Sequence, residues 1–418
     1  MTTKTSLTSP RLVQLQRDLQ TGQAQALDLF WQDIGEQGTP LIEVVPGDEV
    51  HRLVTFLWKD PGETHNVVII RGPTRWGDFA KNQMVRLPET NVWYKTYQVR
   101  SDMRTTYQLS LNDSLVPLDE VEDWKARTAT FQVDPLNPHR YVFPQDEDTP
   151  EVPESVVSIL ELPHAPAQPW ISPRTDVAQG NVEMHHFHSA LLNNTRRVWV
   201  YTPPGYTGSN EPYGLLLLFD GFAYLRAIPT PTILDNLLHE HRLPPLVAVL
   251  LDSLDQETRN RELRCSPLLV DALRQELLPW IHEQYHVTTD PAQTIIGGLS
   301  AGGLAAAFVG YSASETFGNV LSQSGAFWWN WMLDDDSEAE WLTKQFVGQK
   351  KLPLRFYIEV GLLERATTVD QVVTNRHLRD VLQAKGYEAS YAEFNGGHEY
   401  LCWRGSLANG LLTLLSKK

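Results

Sequence analysis

The pentapeptide GLSAG at residues 298–302 constrains the fold of this chain more than any other part of its sequence. A strand-like run at 294–296 precedes it, and a run of small and apolar residues with helical character follows it at 304–308. Glycine on both sides of Ser300 permits a turn so tight that the hydroxyl is lifted above a sheet, at a helix N-terminus. A serine that only caps the helix is the alternative interpretation. The strand before and the helix after favour a nucleophile.

A serine nucleophile needs an adjacent base near neutral pH. His398 lies in the sequence FNGGHEY, after the strand-like run ASYAEF and before the last helical segment. The serine motif points to an α/β-hydrolase fold, where the chain order is serine, acid, histidine, so we predict His398 as the base. His185, His186 and His188 form a second group, but they precede the first strand of that domain and lack the carboxylate spacing of a zinc site. We predict alternating strand residues there and no metal.

The remaining catalytic groups are predicted from the loops that follow strand-like runs. A carboxylate after the run RFYIEV would orient the imidazole, and Glu364 is our choice, with Asp370 as the alternative. Glu359 is expected to lie within the strand itself. Two backbone N–H groups must face the developing oxyanion. We predict that Ala301 supplies one of them and that Phe222, after the buried run LLLLFD, supplies the other.

The chain's 418 residues exceed the roughly 250 to 300 at which single hydrophobic cores stop growing, so two domains are expected. Helical spacing of apolar residues predicts a helical lead-in at 1–35, and short strand-like runs between turn residues predict an all-β sandwich at 36–150. A proline-rich stretch predicts a linker at 151–175. From 176 to 418, apolar strand-like runs alternate with amphipathic helices, as in a parallel sheet covered by helices. The predicted fold is a C-terminal α/β-hydrolase domain preceded by the sandwich.

Charge and composition limit the partners and the compartment. A formal charge of −16 argues against nucleic acid as a partner, and an anionic small ligand would need local cations in a pocket. The sequence has no signal-peptide-like start and no stretch near the roughly 18 apolar residues of a membrane span. Cys265 and Cys402, the only cysteines, are expected to be free thiols. We expect a cytoplasmic protein with no membrane partner.

These features together resemble the enterobactin (ferric enterochelin) esterase family from about residue 50 to the end. The segments that carry the resemblance are FLWKDP, DPLNP, RRVWVYT, LLFDGFAY, TRNRELRC, QELLP, FGNVLSQSGAFWWN and GGH followed by CWRG. The resemblance implies an immunoglobulin-like sandwich before an α/β-hydrolase domain. It also implies that Ser300 and His398 hydrolyse the trilactone of a ferric catecholate siderophore and release its iron in the cytoplasm, without a cofactor.

Substrate contacts follow from the charge of such a ligand. Arg259 and Arg404 are the predicted cations for a trianionic iron complex, and Trp328 and Trp403 could stack on catechol rings. The alternative is that these arginines form surface ion pairs and that the tryptophans belong to the core.

Two other functions remain open at this point. The first is a general carboxylesterase of the feruloyl or acyl-thioester type, which would use the same catalytic residues on a different ester. The second is a binding protein with an inert hydrolase domain, and the intact surroundings of Ser300 and His398 weigh against it.

Overall fold

A computed structural model describes residues 8–74, 77–117, 120–148, 153–208, 211–330, 339–365 and 369–415. The chain divides into two compact units. The first unit takes the described residues of 1–145, 151–166 and 395–399, and the second takes those of 146–150, 167–394 and 400–418.

The first unit is built mainly from antiparallel strands. Its strands are β1 (Leu41–Val45), β2 (Asp48–Lys59), β3 (Val67–Arg71), β4 (Val85–Arg86), β5 (Val92–Arg100), β6 (Arg104–Leu111), β7 (Phe131–Gln132), β8 (Arg140–Phe143) and β9 (Ser155–Glu161). Its helices are α1 (Pro10–Gln20), α2 (Ala26–Gln37) and α3 (Trp124–Thr128). One sheet has the order β1-β2-β5-β4, and the other has the order β3-β6-β9-β8 with β7 beside β6.

The predicted helical lead-in consists of α1 and α2, which pack into the core of the first unit. The side chain of Ser9 caps α1 by accepting a hydrogen bond from the backbone N–H of Leu12. Leu12, Phe30 and Ile34 are buried in one cluster with Leu57 of β2. The two helices therefore belong to the packed unit and do not form a separate segment.

Part of the predicted linker is a strand. The linker was expected at 151–175, but Ser155–Glu161 forms β9, which pairs with both β6 and β8. Ser158 and Leu160 point inward and are buried. The apolar and β-branched run SVVSIL favours a strand, and the prolines on either side of it concealed this signal.

The second unit is an α/β structure around one mixed sheet. Its strands are β10 (Asn181–Ser189), β11 (Asn194–Thr202), β12 (Gly214–Phe219), β13 (Leu246–Leu251), β14 (Thr294–Leu299), β15 (Asn319–Gln323), β16 (Arg355–Gly361) and β17 (Glu388–Phe394). Their order is β10-β11-β13-β12-β14-β15-β16-β17. The pairs β10–β11 and β11–β13 are antiparallel, and the pairs from β13 to β17 are parallel.

Helices cover this sheet and follow the parallel strands. They are α4 (Gly221–Arg226), α5 (Thr230–His239), α6 (Gln256–Leu263), α7 (Pro267–Ala272), α8 (Leu278–Gln284), α9 (Ala301–Ser312), α10 (Trp341–Gly348), α11 (Gln371–Ala384) and α12 (Tyr400–Leu415). A π-helical turn at Leu273–Leu277 joins α7 to α8. The central strands β12, β13 and β14 are buried along their whole length, as expected for a sheet with helices on both faces.

Residues that could carry chemistry follow the carboxyl ends of neighbouring parallel strands. Asp220 follows β12, Ser300 follows β14, Ser324 follows β15, and Glu364 lies three residues beyond the end of β16. Such ends meet at one edge of a parallel sheet, which is where α/β proteins bind their ligands. None of the helices in the described part of the chain is long and apolar enough to cross a membrane.

Candidate active site

Ser300 occupies a sharp turn between β14 and α9, as the sequence predicted. Its backbone has φ 56° and ψ −121°, a conformation that residues other than glycine rarely adopt. The turn is held from the next strand: Ser300 N donates to the carbonyl oxygen of Gln323 at 2.9 Å. The carbonyl oxygen of Ser300 accepts from the N–H groups of Leu304 and Ala326. A half-buried serine held in such a strained turn is typical of a nucleophile.

Close contacts account for two of the glycines near Ser300. A Cβ added at Gly298 would lie 2.5 Å from the backbone of Gly302. A Cβ added at Gly303 would lie 2.6 Å from the hydroxyl oxygen of Ser322. Side chains at these two positions would therefore push α9 away from β14 and β15.

The two predicted oxyanion donors lie in the first turns of helices. Ala301 is the first residue of α9, where backbone N–H groups lack acceptors within the helix. Phe222 is the second residue of α4 and follows Gly221, whose added Cβ would come within 2.6 Å of the carbonyl oxygen of Leu250. Asp220 begins this turn in the left-handed conformation, with φ 57°. The two turns follow β12 and β14, which are hydrogen-bonded neighbours.

Arg259, the predicted cation for the substrate, forms a two-point ion pair with Asp220. Its Nε lies 2.6 Å from Oδ1 and its Nη2 lies 2.7 Å from Oδ2 of Asp220, and the hydroxyl of Ser253 also donates to Oδ1. Burial lowers the pKa of Arg259, but Asp220 more than offsets this effect and the pKa is raised. Arg259 thus stabilises the turn before Phe222. This ion pair favours a structural role for Arg259 over contact with a substrate.

The carboxylate of Glu364 is buried and turned toward the end of β15. Its Oε1 accepts hydrogen bonds from the hydroxyl of Ser324 at 2.6 Å and from the N–H of Gly361 at 2.7 Å. The hydroxyl oxygen of Ser324 in turn accepts from the indole N–H of Trp403. Glu364 is 7% exposed, so these donors fix the orientation of a carboxylate that water barely reaches. The sequence did not point to Ser324, although it lies in the SQSGAFWWN segment.

Asp370, the alternative acid, has a different role. Its side chain caps α11 by accepting from the backbone N–H of Val373 at 3.1 Å, and it lies 3.9 Å from the Nε of Arg365. Glu359 lies within β16, as predicted. Of the three carboxylates, Glu364 is the one that is buried on a loop after the strand.

Glu359 forms a buried polar network beside Ser300, which the sequence did not reveal. Its carboxylate accepts from Gln323 Nε2 at 3.0 Å, from the Tyr357 hydroxyl at 2.9 Å and from the Ser406 hydroxyl. Burial raises the pKa of Glu359 to about 7, although these hydrogen bonds oppose the shift. The backbone carbonyl oxygen of Gln323 accepts from Ser300 N, and the side-chain oxygen of Gln323 accepts from the hydroxyl of Tyr224.

His398 is exposed on the loop between β17 and α12, the position that the chain order predicts. The segment Asn395–Glu399 groups with the first unit. Within that unit, the N–H of Arg104 donates to the carbonyl oxygen of Asn395 at 3.0 Å, and the carboxylate of Glu399 accepts from Thr106.

The predicted substrate contacts differ in exposure. Trp328 is half-buried, and its indole N–H donates to Gln371 on α11. Arg404 is also half-buried, and its Nε donates to the side-chain oxygen of Gln168. Trp403 is only 2% exposed and packs in a core cluster, so its ring faces are covered by the protein. The structure does not support the stacking role expected for Trp403; its indole instead supports Ser324.

The three neighbouring histidines lie on β10, as predicted. His185 Nε2 is 2.8 Å from the hydroxyl of Tyr285. Within the described ranges, no group of three or more His, Cys, Asp or Glu residues is arranged to hold a metal ion. Cys265 and Cys402 are both buried, and neither forms a disulfide bond.

Comparisons with known proteins agree over most of the chain. Residues 53–171 match the family described as "Enterochelin esterase, N-terminal", and residues 189–414 match the family described as "Putative esterase". The iron(III) enterobactin esterase of Dickeya dadantii is 30% identical over 93% of this chain and 93% of its own length. That of Escherichia coli K12 is 32% identical over 86% of this chain and 90% of its own length.

Comparison with solved structures also finds an enterobactin esterase. The enterobactin esterase from Shigella flexneri, crystallised in the presence of enterobactin, superposes with a TM-score of 0.70 and 28% identity. The alignment covers 90% of this chain and 96% of that one.

Proposed function

Because the chain belongs to the enterobactin esterase family, we propose that it hydrolyses the ester bonds of the enterobactin trilactone, with the ferric complex as its substrate. It is a hydrolase that acts on ester bonds. The observation that carries the proposal is the strained turn at Ser300, held between β14 and α9, in a chain that matches these relatives over nearly its full length.

Ser300, His398 and Glu364 are the catalytic residues of this proposal. The Ser300 hydroxyl attacks an ester carbonyl of the trilactone while His398 takes its proton, and the new C–O bond gives a tetrahedral oxyanion. Collapse of this intermediate breaks the bond to the serine alkoxy group of the substrate, which leaves with the proton from His398. Water then hydrolyses the acyl-enzyme in the same way and releases Ser300. Glu364 orients the imidazole and stabilises its charged form.

The N–H groups of Ala301 and Phe222 stabilise the oxyanion in both steps. Each belongs to a first helical turn, where N–H groups point outward and carry partial positive charge. The Asp220–Arg259 pair supports the Phe222 turn, so its geometry is set before the substrate binds.

Trp328 and Arg404 are the substrate contacts that this proposal retains. Both are half-buried, so each leaves surface for a ligand. Arg404 supplies positive charge in a protein whose formal charge is −16, and the indole of Trp328 offers a face for a catechol ring.

The finer features of the fold belong to the same proposal. The strand order of the second unit, in which the second strand β11 runs opposite to the others, supports an α/β-hydrolase domain. The two antiparallel sheets of the first unit support an immunoglobulin-like sandwich. Two buried cysteines that form no disulfide bond support a reducing compartment, and we place the protein in the cytoplasm.

A hydrolysis assay on matched substrates tests this function. Ferric enterobactin, iron-free enterobactin and a neutral feruloyl ester are each incubated with the full chain, and the products are resolved by length. We expect cleavage of the trilactone to linear products, fastest with the ferric complex. Turnover of the feruloyl ester without any cleavage of enterobactin would contradict the proposal and support a general carboxylesterase.

A further inference from the structure

The loop that carries His398 is anchored at both of its ends. At its start, Asn395 accepts a hydrogen bond from the backbone N–H of Arg104 at 3.0 Å, and its side-chain amide donates to Oδ1 of Asp102 at 2.7 Å. At its end, Glu399 is held by Thr106. The two glycines between these anchors would otherwise leave the loop many conformations, because glycine restricts the backbone least.

The anchor at Glu399 is strong because it is buried and charged. The backbone N–H of Thr106 lies 3.0 Å from Oε1 and 2.9 Å from Oε2 of Glu399, and the Thr106 hydroxyl also donates to Oε2. Glu399 is 6% exposed and Thr106 is 2% exposed. A carboxylate that has lost its water must be compensated by such donors, and hydrogen bonds to a charged acceptor are roughly twice as strong as neutral ones.

The donor side of this anchor is rigid. Thr106 lies inside β6, which pairs with β3 on one side and with β9 on the other, where Thr106 is opposite Ile159. All of these groups, including Asn395–Glu399, belong to the first unit. The position of Glu399 is therefore set by the middle of a sheet, and the adjacent residue in the chain is His398.

We propose that Thr106 and Glu399 are positioning residues that hold the His398 loop in its productive place. The inference rests on the proposed function, because it requires His398 to be the base. Neither residue needs to touch the substrate. Their effect appears in the catalytic step, which depends on the base being within hydrogen-bond reach of the reacting proton.

Three variants of the full chain test this role in assays with ferric enterobactin and with neutral 4-nitrophenyl acetate. Thr106→Val removes the hydroxyl donor and keeps the N–H, whereas Glu399→Ala removes the acceptor completely. We expect kcat to fall by about 10- to 100-fold on both substrates, with little change in KM. Glu399→Gln keeps an oxygen acceptor for the Thr106 N–H and should recover part of the lost kcat. Hydrogen exchange of the amides at 395–399 should become faster in the first two variants.

Thr55→Val is the matched control for Thr106→Val. Thr55 is a fully buried threonine in β2 of the same unit, and its hydroxyl bonds that of Thr96. It makes the same chemical change without touching the loop, so kcat and loop exchange should stay as in the wild type. A Thr106→Val enzyme with the kcat and the loop exchange of Thr55→Val would overturn the inference, even if Glu399→Ala failed to fold.

A parallel His398→Ala variant separates this inference from the proposed function. If His398→Ala retains turnover of ferric enterobactin, the assignment of the base is wrong and the positioning role falls with it, whereas the proposed hydrolysis stands. If His398→Ala is inactive while Thr106→Val and Glu399→Ala keep wild-type kcat, only the positioning role is wrong.

Discussion

The hydroxyl of Ser324 donates a 2.6 Å hydrogen bond to the carboxylate of Glu364. Ser324 directly follows β15, the strand next to β14, which ends just before Ser300. Since the same hydroxyl oxygen accepts from Trp403, its proton must point toward Glu364. The proposed acid is thus oriented by the strand beside the nucleophile.

Glu364 is expected to be essential and Asp370 dispensable. Glu364→Gln should lower kcat by about 100- to 10,000-fold, because an amide cannot stabilise the imidazolium or fix its tautomer. Asp370→Asn is the matched control, since asparagine caps helices as well as aspartate does, and its kcat and thermal stability should stay near wild type. Steady-state kinetics on ferric enterobactin measures both. A Glu364→Gln enzyme with normal kcat would exclude Glu364 as the acid.

Arg259 is expected to act through Asp220 and not on the substrate. Arg259→Lys keeps a positive charge but loses the two-point bond, so the turn that carries Phe222 should shift. We expect kcat/KM to fall by a similar factor, up to about 100-fold, on ferric enterobactin and on neutral 4-nitrophenyl acetate. A loss confined to the ferric complex would restore the role as substrate cation that the sequence suggested.

The turn at Ser300 should not tolerate a methyl group at Gly298. Gly298→Ala places its Cβ only 2.5 Å from the backbone of Gly302, so we expect a loss of about 1–3 kcal/mol in unfolding free energy and a loss of activity. Gly35→Ala is the control: Gly35 lies within α2 with nothing near its added Cβ, and alanine should stabilise that helix slightly. Equal stability of both variants in urea unfolding would contradict the account of the turn.

Glu359 should make the protein less stable at alkaline pH. Its pKa is about 7 in the folded chain against an ordinary value of 4.5, so between these values the folded state binds more protons than the unfolded state. The contribution of Glu359 to the free energy of unfolding is therefore fully present below pH 4.5. It is lost as pH rises through 7, and the loss amounts to about 3 kcal/mol. Relative to wild type, Glu359→Gln should gain stability from about pH 5 to about pH 8.

Urea unfolding at several pH values measures this gain. Glu393→Gln is the control, because Glu393 is exposed on β17 and its ion pair with Arg376 lowers its pKa. This control should show no gain at alkaline pH. If the unfolding free energies of Glu359→Gln and wild type differed by the same amount at every pH, the carboxyl of Glu359 would titrate normally and the prediction would be wrong.

The sequence predicts features that local chemistry determines. The turn at Ser300 follows from glycine spacing, a strand before and a helix after, and the structure has all three. Continuous apolar runs likewise predicted the buried strands β12 and β13, because a strand covered on both faces has no polar side.

Features that depend on tertiary partners were not predictable in the same way. The sequence shows that Arg259 is positively charged, but it does not show whether the charge binds a ligand or Asp220. Only the fold places Asp220 next to it. Trp403 is as suitable for a core as for a binding site, and its burial decides between them. Residues 155–161 were assigned to a linker because prolines flank them, whereas pairing with β6 and β8 makes them a strand.

The most direct test of the account is the turnover of ferric enterobactin by Ser300→Ala, with binding measured on the same sample by quenching of tryptophan fluorescence. The account predicts that turnover falls by roughly a million-fold, because the nucleophile is lost, while the dissociation constant of the ferric complex stays within about threefold of the wild type. Turnover retained by Ser300→Ala at a rate near that of the wild type would contradict it.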